Sequence, residues 1–188
     1  MRRLFWVRHG PTHAKGMVGW TDLPADLSDA SALARLSQAL PDAPVISSDL
    51  SRAIATADAI AAGRPQLPHD PALREIHFGD WEMQHHTAIR DQSLLRAFWD
   101  QPGDVAPPGG ESWNAVAARV NAGVDRLLAA HPGDLILVAH FAVILTQVQR
   151  ALGIAPYEAF GHRIDNLSLT ELALGPKGWT AARINHIP

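Results

Sequence analysis

The residues able to do chemistry in this chain are two histidines, two arginines and a glutamate, and their positions matter as much as their types. Arg8, His9 and Gly10 directly follow a wholly apolar run at residues 4–7, and His140 directly follows another at residues 135–139. Arg52 falls in the first turn of a helical pattern, where a cation opposes the helix dipole. That placement makes sense if an anion is held between the guanidinium and the first helix amides. Glu75 stands in Leu73-Arg74-Glu75, shortly before Phe78-Gly79-Asp80-Trp81-Glu82. Taken singly, each has a plainer reading: Arg52 as a solvated cation, His140 as a structural histidine, Glu75 and Glu82 as surface carboxylates.

The elements around them decide whether they can meet. The runs 4–7, 45–46 and 135–139 suit strands buried on both faces. Between them lie helical stripes. Ala53, Ile54, Ala57, Ile60 and Ala61 share one face, with Ser48 or Asp49 available as a cap. Trp113, Val116, Ala117, Val120, Val124, Leu127 and Leu128 form a longer stripe behind Ser112, and Ile144, Leu145, Val148, Ala151 and Leu152 a third. Leu167, Leu169 and Leu172, then residues 179–184, alternate like strands around the turn Gly175-Pro176-Lys177-Gly178. Strands alternating with helices predict an α/β fold, a three-layer sandwich with a mostly parallel central sheet. One domain over residues 1–188 is expected, with the Pro-, Gly- and His-rich segment 65–110 inserted over the active site. In such sheets functional groups gather beyond the carboxyl ends of the strands, which is where Arg8, His9, Arg52 and His140 fall.

Composition narrows the chemistry. Among 188 residues there is no cysteine, which removes disulfides and thiolate metal sites, and the formal net charge is −3. A nucleic-acid surface would show a basic stripe, and none is present. No segment reaches membrane-spanning length, and the residues before Arg8 are too few for a signal peptide, so a cytoplasmic protein is expected. His85-His86 with His77 or His69 invites a metal reading, but adjacent histidines project in different directions on regular backbone, and no metal site is expected. The expected partner is a small anionic molecule held by a few local arginines.

Read together, these pieces resemble the histidine phosphatase superfamily, which includes cofactor-dependent phosphoglycerate mutases and many small-molecule phosphatases. The resemblance covers Val7-Arg8-His9-Gly10-Pro11-Thr12, Gly19-Trp20-Thr21-Asp22, Ser47-Ser48-Asp49-Leu50-Ser51-Arg52-Ala53, Leu73-Arg74-Glu75 with Phe78-Gly79 and Trp81-Glu82, Pro108-Gly109-Gly110-Glu111-Ser112, Val138-Ala139-His140, and Asp165-Asn166-Leu167-Ser168-Leu169. It implies a phosphoglycerate mutase-like fold and a phosphohistidine mechanism that needs neither metal nor cofactor. His9 would be the nucleophile, neutral so that it can approach a phosphate dianion. Arg8, Arg52 and His140 would hold the phosphate oxygens, and Glu75 would protonate the leaving oxygen and then activate water. Thr12, Lys15, Thr21 and Phe141 are further candidates for contact with substrate.

Several positions depart from the family pattern. Phe141 stands where glycine usually follows the second histidine, and its ring either packs on the sheet or narrows the pocket. Lys15 replaces a phosphate-binding asparagine, and Met83 replaces a glycine. Mutases follow the glutamate with arginine, histidine and tyrosine; here the residues are Ile76, His77 and Phe78. With no paired arginines in the insertion and a short chain, the pattern favours hydrolysis of a small phosphate ester, such as α-ribazole phosphate or a sugar phosphate. Phosphoglycerate mutase is the alternative, and a non-catalytic phosphate-binding protein the further one. Tyr157 and Trp99 have two readings, as lining of a substrate pocket or as packing residues, and packing is the one expected.

Overall fold

In the first strand, β1 (Arg2–Arg8), Leu4 and Trp6 are buried on one side and Phe5 and Val7 on the other. A strand buried on both faces needs cover on both faces. The computed structural model describes residues 1–188 and supplies that cover with helices. On one side lie α1 (Ala30–Ala39) and α2 (Ser51–Ala61), which contribute Leu33, Leu36, Ala53, Ala57 and Ile60. On the other lie α4 (Trp113–Ala130) and α5 (Phe141–Leu152), which contribute Val116, Val120, Val124, Val143, Ile144 and Val148. The remaining elements are β2 (Val45–Ser47), α3 (Gln92–Asp100), β3 (Leu135–Ala139), the short α6 (Pro156–Ala159), β4 (Leu169–Gly175) and β5 (Gly178–His186).

The five strands run in the order β2-β3-β1-β4-β5. The β1–β3 and β2–β3 pairs are parallel, and the β1–β4 and β4–β5 pairs antiparallel. The sheet is therefore mixed in its pairings, although only β4 runs against the common direction. The β4–β5 hairpin turns at Pro176-Lys177, where Gly175 pairs with Gly178, and Gly178 has φ 104°, a conformation glycine adopts without strain.

Three helices, α1, α3 and the single-turn α6, lie outside the pattern expected above. Asp29 caps α1 by accepting from the Ala32 amide, and Asp91 caps α3 by accepting from Leu94. The segment 65–110 is thus partly regular: it holds α3 and three single 3₁₀ turns, Pro71–Leu73, Gly79–Trp81 and His86–Ala88. Neither Ser48 nor Asp49 caps α2. Leu50 occupies the cap position with no side-chain bond, and Asp22 from a distant loop accepts from the Ser51 amide at 2.8 Å instead. Asp49 is engaged by Arg74 at 2.6 and 2.7 Å. Ser112 caps α4 as expected, accepting from Ala115. No helix is long and apolar enough to cross a membrane.

Candidate active site

Parallel pairing aligns Arg8 with Ala139, so the residues that follow, His9 and His140, emerge side by side. The His9 amide donates to the Ala139 carbonyl at 3.1 Å, and the two imidazole centroids are 4.9 Å apart. On its far side the His9 carbonyl accepts from the Asn166 side-chain amide at 2.8 Å. Next in the chain, the Gly10 amide donates to Thr56 on α2 at 3.0 Å. A side chain at position 10 would meet the Asp26 carbonyl at 2.9 Å and Leu27 at 2.6 Å, so the turn after His9 requires glycine. The backbone bearing His9 is fixed from both edges.

The ring of His9 is buried, with Nδ1 2.7 Å from the Gly10 carbonyl. A carbonyl can only accept, so Nδ1 carries the proton and Nε2 keeps its lone pair. The Arg52 Nε–H points at that lone pair from 3.3 Å. Burial pushes the imidazole pKa down to about 3, reinforced by the Arg52 and Arg8 charges and opposed by the Gly10 carbonyl. His9 is therefore a neutral imidazole whose unprotonated Nε2 faces Arg52.

Arg52 is buried rather than solvated. Beyond His9, its Nη1 donates to the Thr21 carbonyl at 3.0 Å and its Nη2 to the Gly19 carbonyl at 2.6 Å. Those carbonyls belong to a loop gripped by Glu82, which accepts from the Gly19, Trp20 and Phe78 amides at 3.0, 2.8 and 3.1 Å and from the Thr21 hydroxyl at 2.7 Å. Burial alone would raise the Glu82 pKa, but these donors outweigh it and hold the carboxyl below its usual range. Position 19 must be glycine, because a Cβ there would lie 2.1 Å from the Ile76 carbonyl. Glu82 is the residue the sequence pattern undervalued: it is half-buried, and it positions the loop that positions Arg52. The same bonds place Thr21 in this brace, hydroxyl on Glu82 and carbonyl on Arg52, and off the cavity wall.

Arg8 donates through Nη1 to the Ile164 carbonyl at 2.6 Å, while its Nε is buried without a partner. Its guanidinium carbon lies 5.3 Å from the centre of the Phe141 ring. Phe141 thus packs beneath Arg8 as a cation–π support and does not wall the cavity in front of His9. His140 is fully buried, and neither ring nitrogen has a partner. Burial, then the Arg52 and Arg8 charges, keep it neutral, so it offers one N–H and no charge. Glu75 is buried, its Oε1 accepting from the Ile76 and Ala142 amides, each at 3.0 Å. Burial pushes its pKa up against those amides and the Arg52 and Arg8 charges, favouring the protonated form.

Arg8, His9, Thr12, Arg52 and Glu75 line a cavity of ≈ 150 Å³. Lys15 lies outside it, lining a neighbouring cleft of ≈ 550 Å³ that shares Gly16 with the cavity. The histidines considered as metal ligands are dispersed: His69 bonds Ser47, His77 packs against Trp20, and His85 and His86 stack with centroids 4.1 Å apart. No three His, Asp or Glu side chains are grouped to hold a metal ion. The arrangement combines a neutral imidazole, two guanidinium groups and a buried carboxyl of raised pKa around a space sized for a small anion. That is a set of parts for phosphoryl transfer.

Comparison with known proteins agrees. The model of the histidine phosphatase superfamily (branch 1) matches residues 4–187. The chain is 31% identical to an adenosylcobalamin/alpha-ribazole phosphatase of Salmonella typhimurium over 173 residues, covering 87% of this chain and 86% of that protein. It is 33% identical to a glucosyl-3-phosphoglycerate phosphatase of Mycobacterium tuberculosis over 191 residues, covering 92% and 85%. Among solved structures, a mycobacterial glucosyl-3-phosphoglycerate phosphatase in complex with inorganic phosphate superposes with TM-score 0.84 at 30% identity, covering 99% of this chain and 98% of that one.

Proposed function

The chain belongs to the histidine phosphatase superfamily, branch 1, as a phosphatase, and from that premise we propose that it hydrolyses a small phosphorylated metabolite through a phosphohistidine on His9, without a metal. The observation that carries this reading is the state of His9: Nδ1–H on the Gly10 carbonyl and Nε2 unprotonated beside Arg52. In the first step Nε2 attacks phosphorus and the bond to the leaving oxygen breaks. Glu75 transfers its proton to that oxygen, and the alcohol departs. In the second step the Glu75 carboxylate takes a proton from water, whose oxygen attacks phosphorus. The P–N bond breaks, the electron pair returns to Nε2, and inorganic phosphate is released. Arg8 and Arg52 supply the charge that a metal would otherwise provide, with the His140 N–H as a further donor.

A sugar phosphate or α-ribazole phosphate is the substrate class supported by the names of the relatives above. The mutase alternative lacks support at Ile76 and Phe78, which bring neither charge nor hydroxyl beside Glu75. The test is hydrolysis of p-nitrophenyl phosphate in excess chelator, with the phosphoenzyme trapped by acid quench and its position mapped by mass spectrometry. Wild type is expected to turn over and to carry phosphate on His9, and His9→Ala to do neither. Undiminished activity in His9→Ala would remove the proposed route. Phosphate binding without turnover in wild type would favour a silent binding protein.

A further inference from the structure

Three cavities meet around the reaction centre, and the side chains they share define a path. The cavity in front of His9 shares Gly16 with the ≈ 550 Å³ cleft and shares Glu75 with a small apolar cavity of ≈ 30 Å³. That apolar cavity is walled by aromatic rings, including Phe78, Phe141 and Phe160. One residue, Trp99 at the end of α3, lines both the large cleft and the apolar cavity. Its ring stands edge-on to Phe98 and Phe160, with centroids 4.8 and 5.7 Å away, yet Trp99 remains 36% exposed. It is one of few large apolar side chains left open to solvent in the molecule, and it faces the cleft beside the site.

On the mechanism proposed above, Glu75 protonates the leaving oxygen, so the alcohol must leave past Glu75. The surfaces beyond Glu75 are the aromatic wall and Trp99. We propose that Trp99 is a specificity-determining residue: a platform for the flat face of a ring borne by the leaving alcohol, so that the preferred substrates are phosphomonoesters of ring-bearing alcohols. An exposed indole held rigid by two neighbouring rings offers contact area at little cost in conformational freedom. The ring can be aromatic or a sugar, since both present a flat apolar face.

The test compares benzyl phosphate, glucose 6-phosphate and ethyl phosphate, all alkyl esters, with wild type, Trp99→Ala and Trp99→Phe. Wild type is expected to show a KM for at least one ring ester about tenfold below that for ethyl phosphate, the scale of one stacked ring. Trp99→Ala should abolish that ratio with little change in the kcat ratio, and Trp99→Phe should restore most of it. Which ring ester shows the effect separates an aryl from a sugar substrate. A wild-type KM ratio near one for both ring esters, or a ratio that survives in Trp99→Ala, would overturn the proposal. Binding of benzylphosphonate against ethylphosphonate, by calorimetry, separates this inference from the catalytic one. A ring preference lost in Trp99→Ala without any hydrolysis would leave the platform standing and remove the phosphatase mechanism. Hydrolysis without ring preference would do the reverse.

Discussion

The floor of the site and the cleft beside it are built in opposite ways. On the floor, His9 and Glu75 are tied to backbone groups of neighbouring elements, and Arg52 spends its donors on His9 and two carbonyls. In the cleft, Lys15 and Arg96 are exposed and have no ion-pair partner, whereas Arg3, Arg74, Arg119, Arg126, Arg150, Arg163 and Arg183 each have a carboxylate. A change on the floor must disturb several bonds at once, and a change in the cleft disturbs few. On the function proposed above, reaction geometry and substrate choice are thereby separated: the first is fixed by interlocked groups, and the second can vary without moving them.

That separation can be broken by measurement. Glu75→Gln should have the largest effect, a fall in kcat of about a hundredfold or more from the lost proton transfer, with loss of the alkaline limb of the pH profile. Its stability should move the other way. The folded-state pKa of Glu75 is raised, so the stability it contributes is present below the ordinary carboxylate pKa and is lost as pH rises through the folded value. The Tm advantage of Glu75→Gln should therefore widen as pH rises above the ordinary carboxylate pKa; a constant difference would mean that the Glu75 pKa is not raised in the folded enzyme. Glu82→Gln comes next, with about a ten- to hundredfold loss in kcat/KM through a loosened 19–21 loop, the scale typical of groups that orient a catalytic side chain. Wild-type kinetics in this variant would show that Arg52 is held independently of the loop. Arg96→Ala sits at the other extreme: an exposed, unpaired side chain should shift stability by less than about 0.5 kcal/mol in chemical denaturation. A larger loss would show that the cleft is as interlocked as the floor.

What could be read from the sequence follows the same division. Strands β1 and β3 announce themselves because burial on two faces demands unbroken apolar runs, and α4 and α5 carry long stripes with a cap or a preceding strand. The smaller helices are faint: α1 buries only Leu33 and Leu36, and α3 only Leu95 and Phe98. The reversal of β4 has no signature, since alternation is the same in either direction. His9 and His140 were legible from strand ends, and Arg52 from a cation placed against a helix dipole. Glu82 was not, because four of its five donors are backbone amides, which no residue letter reports. The cap of α2 is hidden for a related reason: Asp22 arrives from a loop far away in the chain, and Asp49, the local candidate, has a stronger partner in Arg74.

The place of β1 in the sheet has a consequence for how the protein is made. Residues 2–8 form its central strand, but their neighbours are residues 135–139 on one edge and 169–174 on the other. No strand made between β1 and β3 pairs with residues 2–8. Because such distant pairings form late and slowly, β1 must wait, its apolar side chains uncovered, until β3 and then β4 are made. His9 is made well before residues 139 and 166, and it reaches its working position only when Ala139 and Asn166 close on its backbone. A growing chain therefore carries His9 long before the site around it can be assembled, which waits for β3 and for the segment that leads into β4.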